Sequence, residues 1–206
     1  MIKNIVFDMG GVLIHDNPMD FLIRYIDADQ ADRELILREL CLGPEWKFGW
    51  DNGTMSTEEV AKSVCGRLTE RLHPFVHCVM ENWNMDPKVI PGMENLIRSL
   101  KKSGCGVYIL SNTAVTYYDY RHKLPAIDCF DGQFVSADYQ VLKPNKEIYE
   151  KFVQVFKLVP EECYFIDDKP ENVNGAVAAG WGGGFVFSGE TAALEEALKP
   201  VLGSPA

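Results

Sequence analysis

Residues 2–7, Ile-Lys-Asn-Ile-Val-Phe, form a short β-branched run that breaks off at Asp8 and the Gly10-Gly11 pair. That pattern predicts a strand running into a tight loop. From Pro18 to about Cys41 the apolar positions Phe21, Ile26, Leu35, Ile36 and Leu40 fall at helical spacing and predict two helices. Residues 43–55 are rich in Trp, Gly and Asn and read as a loop. Ser56-Thr57-Glu58-Glu59 then supplies a capping signal for a helix reaching about Leu72, and Pro74 opens another that ends near Trp83.

Beyond Pro91 the pattern changes. A helix at about 92–103, closed by Gly104, precedes the apolar strand Gly106–Leu110. A helix near 114–123, a strand around 134–136 and a helix at 145–157 follow. Strand 163–166 ends at Asp167-Asp168, and helix 171–179, strand 184–187 and helix 190–199 complete the series. Strands alternating with helices predict a three-layer, Rossmann-like α/β fold, with a parallel sheet covered by helices on both faces. The all-helical stretch between the first two strands breaks the alternation and reads as an insertion. The organisation expected is a core of residues 1–15 and 89–206 with a small helical subdomain at 16–88. The final Gly203-Ser204-Pro205-Ala206 is expected to fray.

Composition narrows the partners. A net charge of −10 argues against nucleic acid, which is bound through clustered Lys and Arg. No apolar stretch reaches the roughly 18 residues that span a bilayer, and the N-terminal run, interrupted by Asp8, lacks a signal-peptide pattern. The six cysteines are scattered without a CxxC pair, which suits a reducing cytoplasm. The expected protein is soluble and cytoplasmic, a monomer or homodimer, binding neither membrane nor nucleic acid.

In open parallel sheets ligands sit beyond the carboxyl ends of the strands. The residues there are Asp8, then Ser111-Asn112-Thr113, Lys143-Pro144 on the loop after the 134–136 strand, and Asp167-Asp168-Lys169. Acids that converge in one crevice repel one another unless a cation lies among them, and all-oxygen ligation suits Mg²⁺. Lysine and serine would hold phosphate oxygens, leaving Asp8 to attack phosphorus as a nucleophilic carboxylate.

Phe7-Asp8-Met9-Gly10-Gly11-Val12-Leu13, Leu110-Ser111-Asn112-Thr113, Lys143-Pro144-Asn145-Lys146-Glu147-Ile148-Tyr149 and Phe165-Ile166-Asp167-Asp168-Lys169-Pro170-Glu171-Asn172 resemble the four ordered motifs of the haloacid dehalogenase-like superfamily. The helical insertion resembles that superfamily's small cap. The resemblance implies a phosphatase acting on a small phosphate ester through an aspartyl phosphate. It makes Asp8 the nucleophile and a Mg²⁺ ligand, and has Gly10 offer its backbone carbonyl to the metal. Ser111 and Asn112 would bind the phosphoryl group, and Lys143 would neutralise it together with Asp8. Asp168 would ligate Mg²⁺, with Asp167 a direct ligand or a support behind it.

One position departs from the pattern. Phosphatases of the family usually carry a second Asp two residues past the nucleophile as acid and base; here that residue is Gly10. Sugar 1-phosphates, with a more acidic leaving hydroxyl, tolerate such a loss, and the motif with Gly is similar to a branch that includes α-glucose-1-phosphate phosphatases. His15, close to the cap hinge, is a candidate replacement donor. Two rivals stand beside this reading: a haloacid dehalogenase, which needs no second Asp and no metal, and a catalytically silent phosphate-ester-binding protein. His73 and His77 with Cys78 lack a fourth zinc ligand and read as a plain amphipathic helix. Trp46, Phe48 and Trp50 are expected to pack within the cap, and Gly180–Gly184 is a turn rather than a dinucleotide loop.

Overall fold

A computed structural model describes residues 1–202, so the fraying expected at 203–206 lies outside the described residues. Five strands, β1 (Asn4–Phe7), β2 (Gly106–Ser111), β3 (Gly132–Val135), β4 (Cys163–Asp167) and β5 (Gly183–Val186), form one sheet in the order β3-β2-β1-β4-β5. Every pairing is parallel, with Phe7 opposite both Ile109 and Ile166. The chain therefore reverses direction across the sheet at β1, placing Asp8 at the point where crossovers diverge. That is where an α/β sheet opens a crevice.

Side chains alternate across each strand, so a central strand must be apolar on both sides. Ile5, Phe7, Val107 and Ile109 pack on one face against α5 (Met93–Lys102) and α10 (Thr191–Leu202), through Met93, Ile97, Leu194 and Leu198. Val6, Leu110 and Phe165 face α8 (Lys146–Phe156) and α9 (Pro170–Ala178), through Ile148, Tyr149, Phe152 and Ala176. The result is the three-layer α/β architecture that the alternation predicts.

Between β1 and β2 lie α1 (Pro18–Tyr25), α2 (Gln30–Ile36), α3 (Thr57–Cys65) and α4 (His73–Asn82), with an apolar centre of their own built on Leu22, Ile36, Leu40, Val60, Val64 and Val79. The capping signal works as read: the Ser56 hydroxyl accepts from the Glu59 amide while Glu59 accepts from the Ser56 amide. Helix α3 ends at Cys65 instead of near Leu72, and a separate 3₁₀ turn fills Glu70–Leu72. The expected loop at 43–55 contains a wide π-type turn, Glu45–Trp50. It buries Trp46 and Trp50 edge-to-face, 4.7 Å apart, and leaves Phe48 exposed. The chain leaves and re-enters the sheet region through paired backbone: the His15 amide donates to the Lys88 carbonyl and the Ile90 amide to the Leu13 carbonyl.

A second seam joins this insertion to the sheet. After β3 the chain makes one helical turn, α6 at Tyr117–Tyr120 having preceded it and α7 being Ser136–Tyr139 itself. The Ser136 hydroxyl, fully buried, donates to the Asp51 carbonyl at 2.6 Å and accepts from the Thr113 amide at 2.9 Å. Alongside it, a Cβ added to Gly53 would lie 2.3 Å from the Ala137 carbonyl oxygen, so only glycine allows the two segments this close. No helix among the described residues is long and apolar enough to cross a membrane.

Candidate active site

A cavity of about 570 Å³ opens above the carboxyl ends of β1 and β2. Asp8, Gly10, Ser111, Asn112 and Lys143 line its floor. The insertion contributes Leu42, Trp46, Lys47, Asp51, Trp83 and Asn84, and Asp16 stands on the hinge. Six of the residues singled out from the sequence (Asp8, Gly10, Ser111, Asn112, Lys143 and, just behind Asp8, Asp167) thus meet around one crevice, with Asp168 beside them.

Lys143 is the electrostatic centre. Its ammonium is buried, 2.8 Å from Asp8 Oδ1 and 2.7 Å from Asp167 Oδ2, and also donates to the Leu110 carbonyl at 3.1 Å. Burial alone would lower its pKa, but Asp167 and Asp8 outweigh that and raise it. Asn112 helps to hold this lysine: its carboxamide donates to the Lys143 carbonyl at 3.1 Å and accepts from the Lys143 amide at 2.9 Å. Its side chain therefore positions Lys143 in addition to facing the cavity.

The three acids differ sharply. Burial pushes Asp8 up, against the pull of Lys143 and with a further push from Asp167. Asp167 is also pushed up by burial, yet Lys143, the Lys169 amide and Asn172 overcome this and hold it below its ordinary value. Three donors make four contacts with its carboxylate and saturate it. Asp168 is raised by burial, and its Oδ1 is buried without a hydrogen-bond partner. One carboxylate oxygen from each of the three lies within 4.8 Å of the others. An orphaned carboxylate oxygen beside two more acids matches the hard, oxygen-only ligation that Mg²⁺ takes. The donor set fits that ion best through Asp8 and Asp168, with Asp167 behind them.

His15 stands apart from this group. It lines a neighbouring cavity of about 290 Å³ together with Arg24, Tyr25 and Lys88, and does not line the one above Asp8. Its backbone is committed to the hinge pairing with Lys88, and it is the next residue, Asp16, that lines the Asp8 cavity. Asp16, Asp51 and Lys169 were not singled out as site residues from the sequence. Asp16 is exposed at the edge of the crevice, yet partial loss of water around it raises its pKa against the pull of Lys169; burial raises Asp51 well above its ordinary value with a further push from Asp16. Lys169 was signalled by adjacency to the Asp167-Asp168 pair; Asp16 and Asp51 come from the hinge and from an aperiodic turn, where no local pattern marks them. His73 and His77 join no metal-ligating group among the described residues. Trp46 packs inside the insertion as expected and also lines the cavity.

Residues 2–180 match the family model of haloacid dehalogenase-like hydrolases. The chain is 38% identical over 188 residues to a sesquiterpene phosphatase of Aspergillus oryzae, covering 86% of each protein. It is 28% identical over 197 residues to a D-ribitol-5-phosphate phosphatase of Bacteroides thetaiotaomicron, covering 84% of this chain and 86% of that one. A solved structure described as a predicted HAD-like family hydrolase from Porphyromonas gingivalis superimposes with a TM-score of 0.72 at 27% identity, over 97% of this chain and 98% of that one.

Proposed function

The chain belongs to the haloacid dehalogenase-like hydrolases, and from that premise we propose that it hydrolyses a small phosphate monoester, with Asp8 attacking phosphorus and Mg²⁺ as its metal. The observation that carries this reading is Asp8 itself: a carboxylate on the cavity floor, 2.8 Å from a buried ammonium and beside an unpartnered Asp168 oxygen. Residues 16–88 act as the cap, and residues 1–15 and 89–206 as the catalytic core.

Asp8 Oδ1 accepts from the Met9 amide at 2.7 Å and from Lys143, so one oxygen is fixed and the other is left to attack. Lys143 offsets charge on the phosphoryl oxygens and on Asp8, while Ser111 and the loop after β2 seat the phosphate. Asp8, Asp168 and the Gly10 carbonyl would hold Mg²⁺, with Asp167 keeping Lys143 and Lys169 in place. When bound, the dication neutralises the crowded carboxylates and polarises the phosphoryl group. A cytoplasmic setting suits the six free cysteines.

For the leaving group we infer a sugar or polyol phosphate. Asp51, Asn84 and Lys47 line the cavity and offer hydroxyl partners, and the ribitol-phosphate-cleaving relative points the same way. A second reading, an isoprenoid phosphate, is favoured by the wall of Leu42, Trp46 and Trp83 and by the sesquiterpene phosphatase relative. Orthophosphate release should be measured over sugar, polyol, nucleotide and isoprenoid phosphates, each with Mg²⁺ and with EDTA. The reading predicts Mg²⁺-dependent release. Metal-independent halide release from 2-haloacids, or tight ester binding without turnover across the panel, would overturn it.

A further inference from the structure

The side chain at position 10 is missing, but the space it would fill is not empty. A Cβ built on Gly10 would lie 2.6 Å from Asp16 Oδ2, 2.9 Å from its Cγ and 3.1 Å from its Cβ. A carboxyl group thus already stands where a side chain two residues past Asp8 would begin. Gly10 is not among the residues with positive φ, so its backbone does not itself demand glycine; a side chain there would have to displace the Asp16 carboxyl. Asp16 also lines the same cavity as Asp8, Ser111 and Lys143, whereas His15 does not.

We propose that Asp16 is the acid–base catalyst of this site, its carboxyl delivered from the hinge to the place that Gly10 leaves open. This rests on the phosphate-ester reading above. In the first half-reaction an Asp8 oxygen bonds to phosphorus as the ester P–O bond breaks, and the Asp16 proton passes to the leaving oxygen. An alcohol departs and Asp16 is left as a carboxylate. In the second, that carboxylate takes a proton from water as the water oxygen bonds to phosphorus and the Asp8–phosphorus bond breaks. Orthophosphate leaves, and both side chains return to their starting forms.

The hinge location gives this arrangement a built-in order. Asp16 follows directly on the paired segment that carries the chain out to the helical insertion, so its carboxyl is set against Gly10 by the same backbone that joins the insertion to the core. His15, the neighbouring residue, lines the adjoining cavity and not this one, and serves as the control.

The test compares kcat/KM for wild type, Asp16→Asn, Asp16→Ala and His15→Ala on two esters. One is the best alkyl phosphate from the panel; the other is 2,4-dinitrophenyl phosphate, whose phenolate leaves without a proton. Loss of general acid help predicts that both Asp16 variants fall by roughly 10²–10⁴ on the alkyl ester and by less than about threefold on the dinitrophenyl ester. Retained dinitrophenyl turnover also certifies a folded, metal-loaded site. Equal losses on both esters, no loss on either, or the same selective loss in His15→Ala would overturn the assignment. A wild type silent on both esters would instead remove the hydrolase reading on which it rests.

Discussion

Replacing Lys143 by Met tests the charge balance of the site while leaving Asp8, the proposed nucleophile, in place. The side chain is 1% exposed and lies between Asp8, 8% exposed, and Asp167, wholly buried. Removing one partner from a buried, paired charge costs about 3–5 kcal/mol. The lower end applies here, because Asp167 keeps the Lys169 amide and Asn172 as donors, and Asp8, already pushed up by burial, can take up a proton. For a protein of this size about 3 kcal/mol corresponds to a fall in Tm of roughly 6–12 °C. Circular dichroism melts in EDTA are the assay, since a bound dication would mask the deficit. The pH dependence has a definite sign. Asp167, held low in the wild type, supplies stability that is present above its unfolded value and lost as pH falls through its folded one. Without Lys143 that contribution goes, and Asp8 is pushed up further, which adds a cost that grows with pH. The gap between variant and wild type should therefore be widest at neutral pH and should narrow towards about pH 4, the ordinary carboxylate range. A neutral-pH shift under about 2 °C, or a gap that widens on acidification, would refute the reasoning.

Asp8→Asn should abolish orthophosphate release while leaving the far-ultraviolet spectrum and Tm close to wild type; wild-type-like turnover would exclude Asp8 as nucleophile. Asp168→Asn should weaken Mg²⁺ binding by at least about tenfold in calorimetry, since an anionic hard-oxygen ligand is lost; Ca²⁺, which favours more ligands at longer distances, should support little turnover in the wild type. Gly10→Asp should slow alkyl-ester cleavage, because the new Cβ would meet Asp16 Oδ2 at 2.6 Å, and Gly10→Asp combined with Asp16→Gly should relieve that clash and recover turnover. A single variant as active as wild type would show that the two side chains do not compete for one place.

Much of this was legible in the chain because the chemistry sits at strand ends. All five strands are apolar runs broken by polar residues, and the parallel-sheet rule then brings Asp8, Ser111, Lys143 and Asp167-Asp168 together without knowledge of any distance. Contributions made through space were not legible. Asp16 follows Gly10 by six residues with nothing in its neighbourhood to mark it, and choosing between it and His15 requires knowing which of two adjacent side chains looks into the cavity. Asp51 and Trp46 come from a stretch without period, where a π-type turn sets their direction. The division of labour between Asp167 and Asp168 is equally invisible in a dipeptide: it lies in Asn172, Lys169 and Lys143, which saturate one carboxylate and leave an oxygen of the other unpartnered.

The Ser136 hydroxyl bonds at once to the Asp51 carbonyl and to the Thr113 amide, so a single oxygen bridges the roof of the cavity and the loop proposed to seat the phosphate. Recognition of the organic portion and alignment of the reacting portion are then one mechanical event. A substrate analogue trimmed of the part that touches the roof should forfeit speed as well as affinity, because binding energy gained at a distance is what sets the alignment. Specificity in such an enzyme is written into its turnover number, and a screen that ranks ligands by affinity alone would misjudge what it is built to cleave.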